Sequence, residues 1–393
     1  MGVLKKSGRK KSISTLFKLF CICFLIYSIS TNNTIIIGKG FFLIDEISFT
    51  LLEEEERGYV LALQDDLLYI FVSNSTQEGS FADSIRIIDV QQPENPEVVG
   101  KYDLDKDDWV VDLKIKDNIA YILRQISFSG GINWTVTLLN ITNPTNPIEL
   151  GISAVETATS YIFGLGSWCL VNYKNYTYVS TDFELIIFNT SNPSLPEKVT
   201  NYTSTGGELH INNEYLYLVS SGVKIYNLMN PVNPLFLGEV NTTKHIVAGS
   251  ELYGNYIINA FWYYGIQVYN CTNPYHPTIC WDFDFPDKEF FPEGTIHDVE
   301  IIGDKLFTGA NRLNVFDLSD LQKVKRIARL RIGDKYIDRL EVSEDYIYLT
   351  AWGRFKIYSY KENNLPRNIG IGISIGVPVV IVASLLIWRK KRK

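Results

Sequence analysis

One unit of sequence returns seven times in this chain of 393 residues, and that limits the fold more than composition does. Its clearest copies are SIRIIDVQQPENPEVVG from Ser84, TVTLLNITNPTNPIELG from Thr135, ELIIFNTSNPSLPEKV from Glu184, GVKIYNLMNPVNPLFLG from Gly222 and GIQVYNCTNPYHPTIC from Gly265. Two looser copies start at Arg312 and Arg354. The polar residue closing each apolar run falls at Asp89, Asn140, Asn189, Asn227, Asn270, Asp317 and Ser359, a mean spacing of 45 residues.

Each part of the unit has a structural reading. Period-two alternation makes a half-buried strand. Asp or Asn at the strand end can bond the turn backbone through its side chain. The Pro-x-x-Pro that follows ends the third strand and fixes φ before a fourth begins. Two further runs, one of them Tyr-rich, precede the motif on the same beat. Four antiparallel strands every 45 residues predict a propeller blade. The expected fold is all-β: a seven-bladed β-propeller over residues 59–360, in which radial closure leaves only short edges. The seventh unit lacks a fourth strand, and residues 42–52 have no unit of their own. Ile47 precedes Tyr59 by the twelve residues that separate Val98 from Val110. The segment is therefore expected to complete the last blade.

Ile85-Arg86-Ile87-Ile88-Asp89-Val90, followed by Pro93-x-x-Pro96 and Val99-Gly100, resembles the LVIVD repeat, as do Val223 to Val240 and Ile266 to Pro277. The resemblance implies an extracellular or cell-envelope propeller and no defined reaction. Asn replaces Asp in four copies, and the last two copies lack the prolines.

The two ends set the expected compartment. Eleven of the 37 Lys and Arg residues sit in residues 1–30 and 389–393, which hold no acid, leaving 26 basic against 44 acidic residues between them. Residues 1–30 read as a signal peptide: basic up to Lys18, then an apolar run, then Ser28-Ile29-Ser30. Residues 31–58 form an N-terminal segment and 361–368 a linker. Ile369 to Trp388 is uncharged over twenty residues, enough to span a bilayer as a helix, and the basic tail 389–393 stays on the cytoplasmic side. This predicts a single-pass membrane protein with its propeller at the cell surface. Gly372 and Gly376 point weakly to a helix-mediated dimer. Asn32, Asn74, Asn133, Asn175, Asn201 and Asn241 begin glycosylation sequons, as do Asn140, Asn189 and Asn270, where the turn already wants Asn. Cys271 and Cys280 flank a Pro-containing turn and are a candidate disulfide, which would leave Cys169 free.

No nucleophile elbow, zinc motif or phosphate loop occurs, so no catalytic residue is assigned. The four His are too scattered for a metal site. Asp103, Asp105, Asp107 and Asp108 offer oxygens to calcium but lack the Gly and distal Glu of an EF-hand loop, so no cofactor is expected. The acidic body disfavours nucleic acid as a partner. Trp109, Trp134, Trp168, Trp262, Tyr263, Tyr264 and Trp352 fall at or near the links and two-to-three loops, which share one face. They suggest an aromatic rim for a protein or glycan ligand, or else caps on the blade cores. The expected function is a cell-surface binding module in adhesion or an envelope scaffold. The alternative is a polysaccharide hydrolase or lyase using His297, Asp298 and Asp108.

Overall fold

The computed structural model describes residues 41–47, 56–74, 84–104, 108–128, 131–158, 169–244, 247–262, 264–284, 296–330, 332, 337–351 and 354–362. The expected signal peptide and membrane span lie outside them. No helix among the described residues is long and apolar enough to cross a membrane.

Seven antiparallel sheets form a β-propeller. Blade 1 runs Glu56–Gln64, Leu67–Asn74, Ser84–Asp89 and Glu97–Asp103, each strand bonded to the next. Blades 2 to 6 repeat that meander, with first strands Asp108–Lys116, Cys169–Tyr173, Glu208–Asn212, Val247–Tyr253 and Asp298–Ile302. Blade 2 carries a fifth strand, Glu156–Ala158, alongside Ile132–Trp134. In blade 7 the order is Phe41–Ile47, Arg354–Glu362, Tyr346–Ala351 and Ile337–Val342. The early segment thus takes the fourth-strand place, over a span that overlaps the expected 42–52 and starts one residue before it. Residues 48–52 lie outside the described residues.

The core follows from this layout. Second and third strands are flanked on both sides, so their residues are buried (Leu68, Ile70, Phe71 and Val72 are all 0% exposed), while fourth strands stay half-open. Apolar clusters fill the gap between each blade and the next. The cluster that closes the ring joins Leu68, Ile70, Val72 and Ile88 of blade 1 to Tyr348, Phe355 and Ile357 of blade 7. Each buried Leu or Ile there contributes roughly 1.5–3 kcal/mol.

The polar residue after the third strand forms the same turn six times. Asp89 Oδ1 accepts from Gln91 N–H at 2.8 Å, Asn140 from Thr142 at 2.9 Å, Asn189 from Ser191 at 3.0 Å, Asn227 from Met229 at 2.8 Å, Asn270 from Thr272 at 3.0 Å and Asp317 from Ser319 at 3.0 Å. A second such turn follows in blades 2 to 6, where Asn143, Asn192, Asn230, Asn273 and Asp320 cap the N–H two residues on. Blade 6 has lost the prolines and keeps both turns through its two Asp.

Neighbouring blades meet tightly at these turns. A Cβ on Gly238 would lie 2.7 Å from the Tyr275 carbonyl oxygen, in the next blade's turn. Tyr178 and Tyr202 of blade 3 donate their hydroxyls to the carbonyls of Pro231 and Val232 in blade 4, at 2.7 and 2.8 Å.

The expected Cys271–Cys280 disulfide is not formed; both are free thiols, as is Cys169. Cys271 packs into the cluster between blades 4 and 5, and Cys280 against the one between blades 5 and 6. The two sulfurs therefore face opposite sides of one sheet. Spacing along the chain carries no information about sides.

Candidate functional site

The first strands ring a central channel, and their inward residues make its wall. Register puts Asp112, Cys169, Glu208, Asp298 and Arg339 at one level, opposite Leu123, Ser180, Val219, Gly309 and Thr350. Two residues further on, Lys114, His210, Glu251, Glu300 and Glu341 make a second level, opposite Tyr121, Tyr217, Ile258, Phe307 and Tyr348. Residues i and i+2 of a strand share a face, so both levels line one cavity.

The first level ties blades together. Asp112 Oδ2 accepts from Leu170 N–H of blade 3 at 2.9 Å, and Asp298 Oδ2 accepts from Leu340 N–H of blade 7 at 2.8 Å. Glu208 Oε2 takes both the N–H and the hydroxyl of Ser250 in blade 5, at 2.5 and 2.7 Å. The Cys169 sulfur accepts from Leu209 N–H of blade 4 at 3.2 Å. These four amides hold equivalent places in blades 3, 4, 5 and 7. Blade 5 has Gly249 at this level and offers no side chain to blade 6.

The second level concentrates charge. Burial pushes Glu251 and Glu341 up to about 8, against the pull of Lys114. Glu300 is held well above its usual range by burial and then by Glu341 and Glu251. Glu208 rises to about 7 by burial, partly offset by its Ser250 bonds. Lys114 is held protonated chiefly by Asp112, 3.9 Å away. Its side chain is 53% exposed to channel water, so that charge is screened despite the walls around it. His210 falls to about 3 through burial and Lys114, stays neutral, and shares a 2.7 Å bond with Ser250 Oγ.

Chemically the channel can hold protons and water. The cavity measures about 90 Å³, below the ~300 Å³ at which ligand pockets begin. Among the described residues no cluster of His, Cys, Asp and Glu is arranged to hold a metal ion.

The residues expected for chemistry do not converge. Asp298 lines the channel with both oxygens on backbone amides, of Leu340 and of Val299. His297 instead packs edge-on against Trp262, 5.7 Å between centroids, and burial lowers it to about 4. The Asp108 side chain, with Asp105 and Asp107, lies outside the described residues. Burial takes Trp134 out of the aromatic rim, and half-buried Trp109 fits the alternative, a cap on the blade cores. Trp134 is 2% exposed and meets Phe188 edge-on in the core between blades 2 and 3. Trp109 packs on Tyr59 and Phe71 against the core between blades 1 and 2. Trp262 is half-buried on the cluster between blades 5 and 6. Tyr264 is exposed, with its carbonyl accepting from Lys244, which also pairs with Asp282 and Asp284. Trp168, Tyr263 and Trp352 lie outside the described residues. Of the channel carboxylates only Asp298 stands out in the sequence as a candidate; the others are marked there by i/i+2 polar pairs in the first strands (Asp112/Lys114, Glu208/His210, Asp298/Glu300, Arg339/Glu341).

No family model matches the chain, and no curated protein sequence matches it. Among solved structures it is similar to the computationally designed protein Ika8 (TM-score 0.51, 12% identity, 78% of this chain and 97% of that one). It is also similar to a chain of the Mitotic Checkpoint Complex (TM-score 0.54, 9% identity, 77% of this chain and 86% of that one). At such identities the likeness is of fold alone. Fold and channel together define a seven-bladed β-propeller with an acidic, internally bonded bore.

Proposed function

We propose that this propeller is a binding module of the LVIVD-repeat kind, held at the cell surface by the span 369–388 and contacting a protein or an envelope glycan. One observation carries the reading: each first-level carboxylate gives an oxygen to a neighbouring blade's amide. A general acid or nucleophile needs an oxygen that faces substrate, whereas Asp298 has both oxygens on backbone N–H groups. Such a bore makes a rigid ring, and a rigid ring suits the display of loops to a partner.

The test has two arms on cells expressing the full chain. A photo-crosslinker in place of exposed Tyr264 is expected to yield a discrete adduct with a surface protein or glycan. External protease is expected to reach the propeller. Depolymerisation of envelope polysaccharide by the purified chain, abolished by Asp298→Asn with the fold intact, would overturn the reading in favour of an enzyme.

A further inference from the structure

The three most exposed apolar side chains of the described surface, Met229, Leu235 and Tyr275, lie in or beside the Pro-x-x-Pro turns, ahead of Phe183 and Val155 elsewhere, and the site above gives them no role. Met229 is 76% exposed, Leu235 64%, Tyr275 61% and Leu195 56%. All lie in the turns of blades 3 to 5 or at the first residue of the strand after them, with Phe236 and Ile279 beside them. They follow one arc, because each blade's strands meet the turn of the next: blade 3 bonds the turn of blade 4 through Tyr178 and Tyr202, and Gly238 of blade 4 meets the turn of blade 5.

Charge is missing from the turns themselves: segments 141–147, 190–196, 228–234 and 271–277 contain no Asp, Glu, Lys or Arg, although Glu149, Glu197 and Lys198 open the fourth strands of blades 2 and 3 beside them. The turns of blades 1 and 6 do carry charge, at Glu94, Asp320 and Lys323. The uncharged turns therefore occupy blades 2 to 5, on the side of the ring away from blade 7.

Blade 7 is where the chain leaves. Tyr360 N–H donates to the Asp345 carbonyl at 2.8 Å, the same bond that Val90, Ile141, Thr190, Leu228, Cys271 and Leu318 make at the start of their turns. The third strand of blade 7 thus ends on the turn face, at Glu362. Seven residues later the uncharged run 369–388 begins.

We propose that the turn face lies on the bilayer, with the arc of Leu195, Met229, Leu235, Phe236 and Tyr275 as its lipid contact. The proposal rests on the membrane-anchor reading of 369–388. A tether at blade 7 alone leaves the ring free to pivot. An apolar arc with uncharged turns on the opposite rim supplies a second point of attachment, since side chains of this kind favour the interface. The links and two-to-three loops then point away from the membrane.

The experiment uses the full chain reconstituted into phosphatidylcholine vesicles that carry a spin-labelled lipid. A polarity-sensitive fluorophore is placed at Met229→Cys or, as the far-face control, at Phe183→Cys, a 60% exposed position in the two-to-three loop of blade 3. The unsubstituted chain, whose described thiols are buried or half-buried, gives the background. The proposal expects the Met229 label to be blue-shifted and at least two-fold more quenched by the lipid label than the Phe183 label. Leu195→Ser with Tyr275→Ser is expected to remove that difference while the chain still floats with vesicles. Flotation with equal quenching at the two labels overturns the face-down arrangement and leaves the anchor standing. Failure of the full chain to float overturns the anchor, and this proposal with it.

Discussion

Raising the pH from 6.5 to 8 should loosen the ring through its bore. Glu251 and Glu341 keep their protons up to about 8 in the folded state and release them near the ordinary 4.5 when unfolded. Across that interval the folded chain binds more protons, so stability falls as pH rises. The two histidines held low, His210 and His297, act in the opposite sense, mostly below their ordinary 6.5, and take back roughly 0.4 kcal/mol each above it. Glu208 and Glu300, also held high, act in the same sense as the pair, so the difference between the wild type and a variant lacking Glu251 and Glu341 is what isolates these two. Linkage gives roughly 1.6 kcal/mol per glutamate between pH 6.5 and 8. Channel water screens part of this, leaving about 1 kcal/mol each. Their sum of ~2 kcal/mol corresponds to a few degrees in melting temperature for a chain of this size. Thermal unfolding of the full-length protein at half-unit pH steps measures it. The double variant Glu251→Gln/Glu341→Gln should flatten the slope and be the more stable protein at pH 8. A wild-type melting temperature that does not change over this range, or a double variant with an undiminished slope, would refute the argument.

Three further outcomes follow from the inter-blade contacts. Asp112→Ala leaves the Leu170 amide without its carboxylate and should cost about 1.5–3 kcal/mol in urea unfolding, whereas Asp112→Asn should recover part of it. Gly238→Ala drives a methyl into the Tyr275 carbonyl and should cost ~1–3 kcal/mol, read as a lower urea midpoint with an unchanged slope. Cys169, Cys271 and Cys280 should all take up iodoacetamide after unfolding without reductant, and mass spectrometry showing the last two protected would restore the disulfide.

The fold was legible because its signals are local and repeated. Asp89 and its counterparts mark a turn by their own chemistry, and the beat of 45 residues counts the blades. Even the early strand could be placed, since a unit without a fourth strand and a strand without a unit imply each other. The bore was harder to see. Glu208 reads as an ordinary acidic residue until register aligns it, Asp298 stands out only as a partner for His297, and the groups they bond, Ser250 and Leu340, are 42 residues away. The tryptophans misled for a related reason. Position in a loop or at a strand end says nothing of depth, and a ring the size of Trp134 is readily drawn into a gap between sheets. Cys271 and Cys280 sit close in sequence and on opposite sides of one blade.

The place of Phe41–Ile47 also sets an order of events. This strand is made before every other described strand, yet its neighbour, Arg354–Glu362, comes more than three hundred residues later. Six sheets can assemble while the chain grows, but the seventh must wait until the last of the described strands is made. Until then the inner surfaces of blades 1 and 7, with Ile70 and Ile357, stay open to water, and the growing protein depends on remaining unaggregated until its earliest strand is met.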